Sequence, residues 1–468
     1  MRKITLIVLL SVGNFFFAQN KAVLYNFTAI PQSLSLNPGA DVSYKWYAGI
    51  PLLSGFSANV GSTGFSAYDL FADDGVDFNT KLRKVIFSTS RNDKVSVNQQ
   101  AEVFQGGFKV GDWNNTAYIS FGMYEELDVL SYVPKDFALL ALDGNQNYLG
   151  KYFNLSDLNA RAEMLTVFHV GYNKRQSEKL IWGVRGKIYS SIFDARSTKN
   201  SGYLYTIPSV DNASIYDQVI SADMLLNTSG IAKYDDKDDD SDVAKDIKKR
   251  ALLGGNLGLG FDVGITYYPK KDIQITASVL DVGFIRHSKE VESYRAKGIY
   301  NYEGILPDFF TGTGGNNVSQ EFEDAFPRDT LKGSYTSWRP VKFNASAQYS
   351  FGQTEEKDCN CKSSDGAAKY NNSVGLQYFA MSTPRLPMMA LTAFYRKKLF
   401  TGLEAKATYT VDSFSSKNIG LGLSTQIGPV NFYLMADNLL ELRDVVKAQS
   451  ASFQLGLNLI FAEKKDGE

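Results

Sequence analysis

Between Asn256 and Tyr267 the chain alternates apolar residues with small or polar ones without a slip. Leu257, Leu259, Phe261, Val263, Ile265 and Tyr267 form one set, and Gly258, Gly260, Asp262, Gly264 and Thr266 the other. Side chains of an extended strand point to opposite faces with period two, whereas a helix would scatter both sets around its circumference. The pattern returns in Val341, Phe343, Ala345, Ala347, Tyr349 and Phe351, set against Lys342, Asn344, Ser346, Gln348 and Ser350. It returns again in Leu403, Ala405, Ala407, Tyr409 and Val411 against Glu404, Lys406, Thr408 and Thr410, and in Ile419, Leu421 and Leu423. Phe453, Leu455, Leu457, Leu459 and Phe461 close the series. Any one of these segments would suit a half-buried sheet in a soluble protein; a long series of them needs one large apolar environment.

The N-terminus indicates which environment. Arg2 and Lys3 precede an apolar stretch from Ile4 to Phe17, followed by Ala18-Gln19-Asn20, the order of a secretory signal peptide cleaved after Ala18. No cysteine stands directly after that site for lipid attachment, and no later segment is long and apolar enough for a membrane helix. Mean hydropathy of -0.21 is too polar for a helical bundle, while 27 Tyr and 31 Phe are many for a soluble enzyme. Backbone groups in lipid must all be paired internally, so strands that span a membrane must close into a barrel. The expectation is an all-β, closed antiparallel transmembrane β-barrel in the outer membrane, touching its lipid and lipopolysaccharide. A net charge of -1 offers no basic excess for nucleic acid.

Further strands are expected at 95–110, 116–123, 160–172, 180–193, 273–282, 374–381, 386–395 and 430–437. Short links at Pro269 to Asp272, Ile427 to Pro429, Lys174 to Lys179 and Lys397 to Gly402 suit a periplasmic rim. Tyr172, Trp182, Tyr267, Tyr268, Tyr395, Phe400 and Phe461 lie near those links or at the chain's end, as an interfacial aromatic girdle would. Long connectors then fall outside the cell, at roughly 62–92, 124–159, 194–255 and 286–339. Val42 to Ile50 and Ser54 to Gly61 are merged into one strand, giving about 14, an even number as in bacterial single-chain barrels. The expected organisation is signal peptide 1–18, a periplasmic or lumenal segment 19–41, barrel 42–461 and periplasmic tail 462–468, with both mature termini in the periplasm.

Alternation also predicts which charges face the lumen. Arg161, Glu163, His169, Arg185 and Lys187 share the inner face of one hairpin, joined by Asp262, Lys342, Glu404 and Lys406. Such charges either select a solute or pair across strands, and a register that sets Glu163 opposite Lys187 favours pairing. Cys359 and Cys361 are candidates for a strained local disulfide. The acidic run Asp235 to Asp242 lacks the glycine and final bidentate acid of an EF-hand and reads as a hydrated loop, so no metal site is expected. Two histidines, no Gly-x-Ser-x-Gly elbow and no glycine-rich phosphate loop leave neither an enzyme nor a cofactor in view.

Ile30 to Ala40, with Asn37-Pro38-Gly39-Ala40 at its end, resembles the Asn-Pro-Ala motif at the start of FadL-like barrels, with Gly39 inserted. Ser278-Val279-Leu280-Asp281-Val282-Gly283-Phe284-Ile285 is similar to a recurring segment of an uncharacterised Bacteroidota outer-membrane barrel family related to them. The resemblance implies a barrel of about 14 strands. Its relatives include transporters of hydrophobic compounds and the PorV shuttle of type IX secretion. Three functions follow as expectations: a transport channel for a small, hydrophobic compound; a non-enzymatic subunit of an outer-membrane secretion or assembly complex; and a general porin.

Overall fold

A computed structural model describes residues 21–111, 117–209, 216–231, 240–302, 324–353, 370–415, 417–439 and 448–461. The strands are β1 (Trp46–Gly49), β2 (Phe56–Ser62), β3 (Lys94–Val110), β4 (Ala117–Tyr132), β5 (Tyr152–Asn154), β6 (Ala160–Arg175), β7 (Leu180–Ser197), β8 (Ser201–Pro208), β9 (Tyr216–Ser229) and β10 (Asn256–Lys270). They continue as β11 (Ile273–His287), β12 (Ser293–Tyr302), β13 (Arg328–Leu331), β14 (Tyr335–Trp338), β15 (Lys342–Gln353), β16 (Tyr370–Met381), β17 (Met388–Phe400), β18 (Leu403–Asp412), β19 (Asn418–Ile427), β20 (Val430–Asp437) and β21 (Ser450–Phe461).

Antiparallel pairing runs from β3 through β4, β6, β7, β10, β11, β15 and then β16 to β21 in chain order. β1 and β2 both lie between β21 and β3, so they are two halves of one interrupted strand that closes the ring. β14 extends the line of β15 beside β11. The result is a closed barrel of 14 strands, as the merged reading of the first strand requires. Trp46 stacks on Phe461 at 3.7 Å across the closing seam.

Inside and outside follow the alternation. On β10 Leu259 is 59% and Phe261 52% exposed, while Asp262 is fully buried; among the described residues no helix is long and apolar enough to cross a membrane, and this apolar belt is the surface built for lipid. Tyr172 meets Trp182 at 5.8 Å on the outer face of the short-turn end. Tyr268 departs from the girdle expectation: it turns inward, is buried, and its hydroxyl donates to Asp41.

Three other readings are corrected. β4 runs on to Tyr132, so Glu126 and Asp128 belong to the wall rather than to a connector. Glu163 pairs with Asp194 and His169 with Lys187, not Glu163 with Lys187, because β6 and β7 extend to a turn at residues 176–179 and carry a bulge between Met164 and Leu165. The stretches taken as plain connectors also fold: β5, β8, β9, β12 and β13 form a second antiparallel sheet at the long-loop end, joined to the barrel where β7 pairs with β9. Residues 354–369, with Cys359 and Cys361, and most of the acidic run lie outside the described residues.

Candidate functional site: a plugged, charge-lined lumen

The apolar residues ahead of the first strand have no face on the wall, so burial must come from elsewhere. Val23, Leu24, Phe27 and Ile30 pack with the inward-facing Tyr433 and Met435, and Leu34 and Ala40 with Tyr44, Tyr47, Tyr118 and Ile460. Burying side chains of this size is worth about 1.5–3 kcal/mol each. Residues 21–41 thus form a plug inside the barrel.

The plug has little regular structure beyond a short 3-10 turn at Pro31–Ser35. Its backbone carbonyls therefore need partners, and wall side chains supply them. Lys406 donates to the carbonyls of Ala22 and Tyr25, Arg185 to those of Leu34 and Ser35, Ser278 to Leu36, Thr266 to Gly39, and Asn173 to Pro38 and Ala40. Gln32 adds side-chain bonds to Glu102 and Asn458. Lys406 and Arg185 thus anchor the plug, a role that alternation alone did not distinguish from solute selection.

Asn37 to Ala40 makes the tightest contact. Asn37 Oδ1 accepts from the Gly39 amide at 2.9 Å, and its Nδ2 reaches the Ile265 carbonyl at 3.3 Å. A Cβ on Gly39 would lie 2.3 Å from the Gly264 carbonyl oxygen, and one on Gly183 would lie 2.1 Å from the Pro38 carbonyl oxygen. Backbone here rests on backbone, which only glycine permits. The inserted Gly39 is the residue that lets the motif lie flat against β7 and β10.

Above the plug the inward charges form one alternating series. Arg185 and Lys187 meet Asp262, Lys187 and Lys342 meet Asp281, Lys342 and Arg339 meet Glu126, Arg339 and Arg196 meet Glu163, and Arg196 meets Asp194. Arg161 pairs with Asp128 at 3.0 Å, and Asn98 donates to both Glu126 and Asp128. Cations and carboxylates balance within this set, and each buried charge has an opposite partner that offsets its desolvation.

Asp281 joins this series through a bulge. Leu280 and Asp281 both face inward, the register of β10 against β11 slips between Phe261 and Val263, and Asp281 adopts φ 60. Its amide donates to Asp262 at 2.6 Å. The extra residue re-aims a side chain, as bulges do, and gives a structural meaning to the Ser278 to Ile285 stretch.

His169 is buried 5.9 Å from the Tyr124 ring, and Glu404 is half-buried on the face that carries Lys406. Glu126, Asp128, Asp194, Arg196, Asp281 and Arg339 were not singled out from sequence. Glu126 and Asp128 alternate within β4 and were legible in principle; Asp281 breaks the alternation and was not.

Between plug and ion pairs lies a cavity of about 110 Å³. Its polar lining includes Lys21, Asn98, Lys342 and Asp281, and its apolar lining includes Phe379, Met381, Met388 and Phe414. Lys21 belongs to the plug, donates to Gln100 at 2.5 Å, and burial pushes its ammonium down to about 8 against the opposing pull of Glu102. Beside it the first strand is interrupted at Ile50–Gly55, where Leu52 (φ 64) and Leu53 project outward. The break stays bonded to its neighbours, Ile50 and Leu53 to Leu457 and Leu52 to Val103.

These features define a membrane-type β-barrel closed by its own N-terminal segment. The chain belongs to the family of unknown function DUF5723, whose model matches residues 38–437. No curated protein matches the sequence. Among solved structures, the P. putida toluene transporter TodX is similar over 95% of both chains at 9% identity, with a TM-score of 0.36. A Pseudomonas aeruginosa FadL homologue is similar over 96% of this chain and 100% of its own at 10% identity, with a TM-score of 0.40. The translocator domain of autotransporter NalP from Neisseria meningitidis is similar over 92% of both chains at 9% identity, with a TM-score of 0.32.

Proposed function

We propose that the protein is an outer-membrane transport channel for a small, hydrophobic compound, with both mature termini in the periplasm. The observation that carries this reading is the cavity above the plug, whose Phe379, Met381, Met388 and Phe414 wall offers an apolar surface inside an otherwise polar lumen. At about 110 Å³ it is small beside common ligand pockets of roughly 300–1,000 Å³, so a compound must displace side chains. Methionines yield easily in that way. With the axis plugged, the interruption at Ile50–Gly55 is the proposed route from the lumen to lipid. Kinship with Bacteroidota barrels and with PorV belongs to the same proposal.

Proteoliposomes test it with N-phenylnaphthylamine as probe. Barrel-containing vesicles should take up the dye faster than empty ones, and Met388→Lys should slow them; equal rates in all three would end the reading. The folded sheet at the long-loop end favours a second role, docking a partner of an outer-membrane complex. A larger complex recovered from native membranes by a tagged barrel, and lost when β8 and β9 are removed, would support that role.

A further inference from the structure

A second cavity, about 580 Å³, lies at the long-loop end among the ends of β6 and β7, strand β9, strand β14 and the turn after β16. Its charged lining consists of Arg161, Arg196, Lys199 and Arg339; no described carboxylate lines it. The acids that pair with the three arginines, Asp128, Asp194, Glu126 and Glu163, belong to the series behind them. Lys199 is exposed.

Two of the guanidinium groups are incompletely bonded. Arg161 is 7% and Arg339 3% exposed, and the Nε of each has no hydrogen-bond acceptor among the described residues, while Arg161 Nη2 lies 3.0 Å from Asp128 Oδ1. Buried donors nearly always find acceptors, so donors left over beside this cavity favour an acceptor that the chain does not supply. A guanidinium offers a planar fork that matches carboxylate and phosphate oxygens. The remaining polar lining is mainly hydroxyl, including Thr198, Thr336, Ser382 and Thr383. Hydroxyls facing hydroxyls suit a polyol rather than a hydrocarbon.

We propose that this outer cavity binds an anionic saccharide, with its carboxylate or phosphate held by Arg161, Arg196 and Lys199 and its ring hydroxyls against the threonines and serine. The site is separate from the apolar cavity and does not depend on the transport reading. The same chemistry occurs on a free acidic oligosaccharide and on a phosphorylated lipopolysaccharide core, so both are tested.

Calorimetric titration of the full-length mature barrel in detergent at low salt uses trigalacturonate, its methyl ester, and lipopolysaccharide before and after dephosphorylation. Either anionic probe should bind saturably and about ten-fold more tightly than its neutral counterpart. Which anionic probe binds identifies the source. Arg161→Lys, which keeps the charge and loses the fork, should weaken binding about ten-fold, and Lys199→Gln about three-fold. Heat-modifiable gel mobility reports folding; if Arg161→Lys misfolds, Lys199→Gln decides. Equal affinity for charged and neutral forms, no binding of either anion, or affinities unmoved by the folded variants would overturn the proposal.

Discussion

Gly39 fixes the plug more firmly than its size suggests. A side chain there must push the segment off β10, because the contact 2.3 Å away is backbone and cannot swing aside. Gly39→Val should therefore leave the barrel folded while residues 21–41 become protease-sensitive, measured as N-terminal cleavage in detergent; unchanged resistance would contradict the docking geometry. Asp281 makes a different kind of contribution. Its carboxylate lies between Lys187 and Lys342, so Asp281→Asn removes the anion shared by one buried and one half-buried ammonium group. Breaking such a pair costs about 3–5 kcal/mol, visible as a lower urea midpoint, whereas exposed Lys199→Gln should leave that midpoint in place.

At the scale of elements, the plug fills the lumen and the first strand of the wall is interrupted beside it. Lys21 couples the plug to pH. Its folded pKa is lowered to about 8, so the docked segment disfavours the charged form, and docking is weakest below about 8 and tightens as pH rises through it toward the free-lysine value. Protease cleavage of residues 21–41 in detergent should fall between pH 7 and pH 9.5 on the order of several-fold, and Lys21→Met should flatten the change. The wall strands were legible from sequence because each carries its own period-two record, as in β10 and β15. The plug's position was not: Val23, Phe27 and Ile30 show only that they are apolar, and their partners Tyr433 and Met435 lie some four hundred positions away.

For the whole molecule, a filled lumen predicts a silent channel. The intact barrel should show no steady conductance, and deletion of residues 21–41 should create one, because the wall beneath is lined by Thr266, Thr276, Ser346 and Asn458 rather than by packed apolar groups. A steady current through the intact protein would restore the porin reading. By itself the sequence determined the closed ring and the faces of the regularly alternating strands, since alternation is a local property that needs no knowledge of distant residues. Only the tertiary structure decided which acid meets which base, that Glu163 faces Asp194, and that Asn37 to Ala40 lies on bare backbone. Those outcomes depend on turn length and bulges, where a shift of one residue moves every partner downstream.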